Sequence, residues 1–346
     1  MARPAGPPAS CGPEADMKKL LWIGSPFFAS SLDKFGWKTV AHNFEDARAY
    51  TWPDIVELNN GTPPDVLVVA DKSRPPFVLG MENFPCLTVF YCVDSHIHAW
   101  YPKYAQAFDV CLLSLRDDMD RFANLRLPPE RILNMPAFAK MDDVPREAEK
   151  IHDLMFVGKV DPDTMPGRFA FLYALKERFP DLQVRRGNYR ELYPTARLVL
   201  NYAEMGDLNF RVFEALGCGA CLVTPMVGHG LTDFFTPGED LFTYPPGDMP
   251  ALISLLEHLL NVPELCEAVA ASGLRKVNAG HRALHRAKAF TERLRALPVR
   301  HIIEERLRQA EMIRHNYLRL IYLLWAEECH TPALREAYLK AAKGKV

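Results

Sequence analysis

Short apolar runs of strand length recur along the chain at intervals too long for hairpins. They are "KKLLWIGSP" (18–26), "KTVAHNF" (38–44), "PDVLVVADKS" (64–73), "CLTVFYCVDSH" (86–96), "FDVCLLSL" (108–115) and "RILNMPAFA" (131–139). None alternates strictly between polar and apolar, and helical stretches such as 46–59 lie between several of them. Runs of this kind separated by helices predict a parallel sheet covered on both faces. The pattern then pauses at "MDDVPREAEK" (141–150), a charged, proline-containing linker. It restarts as "HDLMFVGKV" (152–160), "LQVRRG" (182–187), "ARLVLNY" (196–202), "ACLVTP" (220–225) and "DLFTY" (240–244). Helices are expected over 168–178 and around Glu214. The predicted class is α/β with two such domains, which suits a chain of 346 residues.

From about Pro250 the chain reads as helical, with two helices split by "NVPE" (261–264) and a long helical end. The expected organisation is a disordered leader over 1–17, a first domain over 18–145, a second over 150–275 and a helical extension over 276–346. The leader, "MARPAGPPASCGPEADMKK", has no apolar centre, so it is not a secretion signal, and Met17 is an alternative start. Eight cysteines without such a signal are expected as reduced thiols in a cytoplasmic protein. No window of about 18 apolar residues is present to span a membrane. A net charge of -2 argues against bulk nucleic-acid binding. The extension is basic at first: Arg282, Arg286, Lys288, Arg293, Arg295 and Arg300 have only Glu292 among them. Its helices either pack on the domains with their arginines in water, the reading preferred here, or lie on an anionic membrane or a partner protein.

The stretch "NFRVFEALGCGACLVTP" (209–225) sets an ionisable Glu214 among apolar neighbours, a costly place for an unpaired carboxylate. Arg211, three residues earlier, can pair with it on the helix surface. Alternatively Glu214 points into a cleft and accepts hydrogen bonds from ligand hydroxyls. The glycines that follow suit a helix end needing positive φ. Cys218 and Cys221 have redox or zinc spacing without a second pair, so they read as buried thiols. In "VDSHIH" (93–98), Asp94, His96 and His98 follow a strand's carboxyl end, where α/β folds place ligand crevices. The two histidines with Asp94 can hold a metal, Asp94 or His96 can serve chemistry, and Asp94 or Ser95 can cap the helix over 99–104; a metal is the least favoured. Gly158 after its strand permits close backbone approach, and Lys159 and Arg168 are either anion-binding or solvated cations. "GSPFF" (24–28) lacks the Gly-x-Gly-x-x-Gly pattern of dinucleotide oxidoreductases, and Phe27 and Phe28 line a pocket or fill the core.

The segment "LNFRVFEALGCGACLVTPMVGHGLTDFFTPGEDLFTY" resembles the donor-site region of the group-1 glycosyltransferases, and most of all their CgeB-type branch. "DLMFVGKV", "YPTARLVLNY" and "VFYCVDSHIHAWYPKYAQAFDVCLLS" resemble other blocks of the family, so that the resemblance covers roughly 18–275 in pieces. It implies a GT-B fold: two Rossmann-like domains facing a cleft, plus the C-terminal helices, which in such proteins commonly cross back to the first domain. It implies transfer of a sugar from a nucleotide-diphosphate-sugar to a hydroxyl of an unknown glycan, protein or small-molecule acceptor. The transfer is expected to be metal-independent and retaining, with no cofactor beyond the nucleotide-sugar substrate. On this resemblance Glu214 meets the ribose, and Arg211, Lys159 and Arg168 meet the diphosphate. Gly158 and Asn209 complete the donor set, and Asp94 and His96 stand at the reacting centre. Many group-1 enzymes carry a further Glu eight positions before the ribose-binding one; here that position is Gly206, with Asp207 or Asn209 as replacements. The alternatives are an inactive scaffold on the same fold and, less favoured, a sugar-nucleotide epimerase.

Overall fold

The computed structural model describes residues 18–123 and 125–346; the leader 1–17 lies outside the described residues. The first series of runs forms β1 (Lys18–Gly24), β2 (Trp37–His42), β3 (Val66–Ala70), β4 (Leu87–Cys92), β5 (Val110–Leu113) and β6 (Ile132–Asn134). They pair in parallel in the order β2-β1-β3-β4-β5-β6. The helix expected over 46–59 is confined to Trp52–Leu58. Thr51 fixes its start, donating its backbone N–H and hydroxyl to Asp54 Oδ2, each at 2.7 Å.

Successive side chains of a strand point to opposite faces. Leu20 and Trp22 therefore enter one apolar layer, and Leu21 and Ile23 the other. Helices from the far end of the chain cover both. Helix Ala283–Arg295 sends Ala287, Phe290 and Leu294 onto the Trp22 face. Residues 310–342 send Leu318, Tyr322 and Tyr338 onto the Ile23 face. Each fully buried side chain of this size contributes about 1.5–3 kcal/mol, so the terminal helices are integral layers of the first domain.

The second series forms β7 (His152–Val157), β8 (Leu182–Arg185), β9 (Ala196–Leu200), β10 (Leu222–Pro225) and β11 (Phe242–Tyr244), parallel in the order β11-β10-β9-β7-β8. Helices Pro166–Arg178, Met249–Leu260 and Pro263–Gly280 pack around it, the last two split at "NVPE". Both sheets share one ordering: the second strand lies on one side of the first, and the later strands lie on the other. The chain therefore reverses direction between β1 and β3 and again between β7 and β9. A crevice opens outside the carboxyl ends of the strands at each such point.

The two connections between the domains are bound to each other. Ala139 donates to His281 O and Ala283 donates to Ala139 O, both at 2.9 Å. Arg282 donates to Lys140 O (2.8 Å) and Asp143 O (2.6 Å), and Arg286 to Pro136 O (2.8 Å) and Ala137 O (2.9 Å). These two arginines, expected in water, are buried. A bend in the chain leaves peptide carbonyls without partners, and a guanidinium's several donors can serve more than one of them. Arg306 is enclosed in the same manner, paired with Asp109 at 2.9 Å and bound to the carbonyls of Met81, Phe84 and Cys86.

Candidate active site

Helix Phe210–Gly217 starts directly above the crevice of the second sheet. Asn209 precedes it in extended conformation, and Gly219 ends it with φ +73. Arg211, in its first turn, reaches back to the reversal point between β7 and β9. Its Nε donates to Val157 O at 3.1 Å, at the end of β7. Its Nη1 donates to Asn201 Oδ1 at 2.8 Å, just past β9. The guanidinium lies over the Phe156 ring, 4.6 Å from its centroid. Gly158 suits this close approach, because a Cβ would stand 2.8 Å from Arg211 Nη2 and displace the guanidinium. The space that glycine leaves is thus taken by Arg211. Among the described residues Nη2 has no hydrogen-bond partner, so one face of a fixed cation remains for an anion.

Arg168 lies over the same ring at 6.0 Å, held by Glu204 (3.4 Å) and by Lys159 O (2.9 Å). Its Nε is buried without a partner. Lys159 is half-exposed, 3.2 Å from the Thr164 hydroxyl and 3.7 Å from Asp161. Burial, and to a smaller degree Arg168, lower the pKa of Arg211 from its ordinary value; Tyr193 and Glu214 partly offset this. Two guanidinium groups thus lie over one ring beside a helix start, an arrangement suited to phosphate.

Glu214 sits one turn further along and is half-buried. The surface pair with Arg211 does not form: among the described residues Glu214 has no ion pair, because Arg211 is drawn to the strand ends. The neighbouring Tyr189 hydroxyl donates to Asp143 Oδ1 (2.8 Å). Burial first, and then Asp143, raise the carboxyl's pKa, against the pull of Lys140 and Arg211. The Tyr189 hydroxyl beside it also acts to lower the value, and the group is a half-buried acceptor. Asn209 adds another: its Oδ1 is buried and unpartnered, a condition that costs about 1–3 kcal/mol unless a ligand supplies a hydrogen bond.

Across the cleft stand the ends of β3 and β4. Asp71 is buried and accepts from the Tyr101 hydroxyl (2.5 Å), Ser73 N (2.7 Å) and Asp94 N (3.2 Å), which fixes the loop carrying Asp94. Asp94 accepts from the Ser73 hydroxyl at 3.1 Å. Its pKa is raised by burial, then by Asp71 and more weakly by Asp207 of the second domain, while Ser73 and His96 act to lower it. Asp94 and His96 thus lie together on the loop that follows β4. Among the described residues, His96 Nδ1 and His98 Nε2 are buried without partners. No cap forms in this loop: the next helix starts at Tyr101, and the Ser95 hydroxyl donates to Asp118 at 2.6 Å. Of the two phenylalanines, Phe28 is core and Phe27 lies at the cleft with φ +34. Cys218 and Cys221 are buried free thiols.

Several residues of the site carried no local signal. Asn201 orients Arg211, and Glu204 orients Arg168. The turn Gly228-His229-Gly230 bridges the domains. His229 N donates to Asp117 Oδ2 at 2.6 Å, Asp117 N donates to His229 Nδ1 at 3.2 Å, and Arg116 pairs with Asp233. A Cβ at Gly228 would stand 2.3 Å from Asp117 Oδ2. The Gly-His-Gly sequence was the one available hint of a close approach.

Two parallel α/β domains, each with a crevice outside the carboxyl ends of its strands, have the architecture of the GT-B fold. Residues 159–292 match the model of the family described as glycosyl transferase-like. Solved structures show the same fold over most of the chain. Sucrose-phosphate synthase from Thermosynechococcus elongatus matches at 12% identity with a TM-score of 0.57, covering 80% of this chain and 98% of that one. Anabaena Alr3699/HepE, solved in complex with UDP and glucose, matches at 10% identity and a TM-score of 0.57, covering 81% and 100%. A glycosyltransferase from Rickettsia africae matches at 9% identity and a TM-score of 0.55, covering 84% and 99%. Comparison with curated proteins gives no sequence match. Among the described residues no helix is long and apolar enough to cross a membrane.

Proposed function

We propose that the protein transfers a sugar from a nucleotide-diphosphate-sugar to an acceptor hydroxyl, without a metal ion. The observation that carries this reading is Arg211, pinned at the reversal point of the second sheet with Nη2 unpartnered and Arg168 beside it. The diphosphate lies against these cations, which supply the charge stabilisation that the departing group needs as the glycosidic bond breaks. Glu214 takes the two ribose hydroxyls, and Asn209 Oδ1 accepts a further donor hydroxyl. Asp94 and His96 face the sugar and the attacking hydroxyl, with Asp207 opposite. A uridine diphosphate sugar is the first donor to test, because HepE was solved with UDP and glucose. Retention of the anomeric configuration follows only from the resemblance to group-1 enzymes.

The place of the absent Glu favours a second reading. Gly206 has φ +75 with open space around it. Of the carboxylates nearby, Glu204 is held by Arg168. An inactive scaffold would look the same. The test is incubation with UDP-glucose, UDP-galactose, UDP-N-acetylglucosamine and GDP-mannose, with nucleoside diphosphate release and donor isomerisation followed together. Release of the diphosphate, abolished in Arg211→Lys, supports transfer. Intact donor throughout, with the diphosphate still bound, supports the scaffold, and an isomerised donor supports an epimerase.

A further inference from the structure

On the side of the first domain formed by the last helices is an open cavity of about 820 Å³. Arg308, Arg314, Arg319 and Lys343 line it, with His315 and the single carboxylate Glu311. Among the described residues none of these four cations is in an ion pair. Grouping like charges raises the energy of the folded state unless an anion sits among them. The cavity is also locally shaped. Arg314–Leu318 is a π-helical turn, a feature often found at functional sites, and it sits at the centre of the lining. Gly344 leaves room for the Arg314 guanidinium, since a Cβ there would stand 2.5 Å from Nη1.

The same helical rod, 310–328, is apolar on its outward stripe. Met312, Leu320, Leu323 and Leu324 are 36%, 67%, 37% and 46% exposed, while Ile313, Leu318, Ile321 and Tyr322 face inward onto the sheet. Exposed leucines beside unpaired arginines on one helix face are the composition of a helix lying in a membrane interface. Acidic Glu327 and Glu328 close the stripe at its far end. We infer that this face docks on an anionic lipid bilayer, with headgroup phosphates in the cavity and the leucines at the acyl boundary. A nucleic acid fits less well, because the outward stripe offers leucines rather than exposed aromatic rings to stack bases. The inference is independent of the donor site, which lies in the other domain.

The test is co-sedimentation of the full chain with vesicles of phosphatidylcholine, alone or mixed with phosphatidylglycerol. The expected result is partition onto the mixed vesicles only, weakened by salt. A cation at an anionic surface is worth about fivefold, so reversing two in Arg319→Glu/Lys343→Glu should lower partition at least about 25-fold. Leu320→Asp should lower it as well, and all variants should keep the wild-type melting temperature and UDP affinity. Failure of the wild type to partition would overturn the inference, as would equal partition of folded variants. So would a Leu320→Asp variant that partitions normally while inorganic phosphate or single-stranded RNA displaces the vesicles, since the cavity would then be a soluble-anion site.

Discussion

The rings of Phe27 and Phe210 are stacked across the cleft, their centroids 5.7 Å apart and their planes 6° from parallel. Phe27 follows β1 of the first domain, and Phe210 opens the helix that carries Arg211 and Glu214. The contact therefore ties the start of that helix to the opposite domain. Phe27 holds φ +34, a backbone state that costs a non-glycine residue of order 1–3 kcal/mol. Phe27→Ala should lower stability by about 1–2 kcal/mol through lost ring contact. Phe27→Gly should be about 1 kcal/mol more stable than the alanine variant, because the strain is gone. Both should reduce turnover, read from denaturant unfolding and initial rates on the same samples.

Arg306 and Asp109 are both fully buried and 2.9 Å apart. Removing one partner leaves an uncompensated charge in the core, at a cost of about 3–5 kcal/mol. Arg306→Ala should show that loss in chemical denaturation and also free the carbonyls of Met81, Phe84 and Cys86. Arg300→Ala, on an exposed helix face, should change stability by less than about 0.5 kcal/mol.

Asp94 carries a raised pKa in the folded protein, so the folded state binds its proton more tightly than the unfolded chain does. Its contribution to stability is therefore greatest below its unfolded pKa and is lost as pH rises through the folded value. Asp94→Asn should melt higher than the wild type at neutral pH, and that advantage should shrink in acid. If the ionised carboxylate serves transfer, the acid limb of the rate profile lies above the ordinary range of an aspartate. The variant should lose both the rate and that limb.

At the crossing between the domains, burial, and then Arg286, hold the His281 pKa down to about 4 from its ordinary 6.5. A depressed folded value means that the unfolded chain takes up the proton first. Stability from this residue is whole above about pH 6.5 and falls as the pH drops toward 4. His281→Phe should flatten the acid side of the melting-temperature profile in that window.

The legibility of the sequence divides along the same lines. β1, β3 and β4 were visible because a strand buried on both faces must be apolar throughout, as "VLVVA" is. The helix around Glu214 was visible because the glycines that follow it suit a helix end. A surface pair of Arg211 with Glu214 stayed open beside the cleft reading because spacing along a helix says nothing of the strand ends below it. The carbonyl of Val157 and the amide of Asn201, 54 and 10 residues away, decide where Arg211 goes. Arg282 and Arg286 read as solvated for a related reason: their partners are backbone carbonyls some 140–150 positions back, and a carbonyl has no sequence signature. The bridge between Asp117 and His229 depends on two domains facing each other, which local pattern does not encode.

The account rests on a donor diphosphate held by Arg211 and a ribose held by Glu214. The direct measurement is calorimetric titration of the wild type, Arg211→Lys and Glu214→Ala with UDP, GDP, ADP, CDP and dTDP. The predicted result is binding of one diphosphate, weakened about 10- to 100-fold in each variant, as fits the loss of a charge-assisted contact. Binding of none of the five to a folded wild type would contradict the account, as would equal binding by both variants.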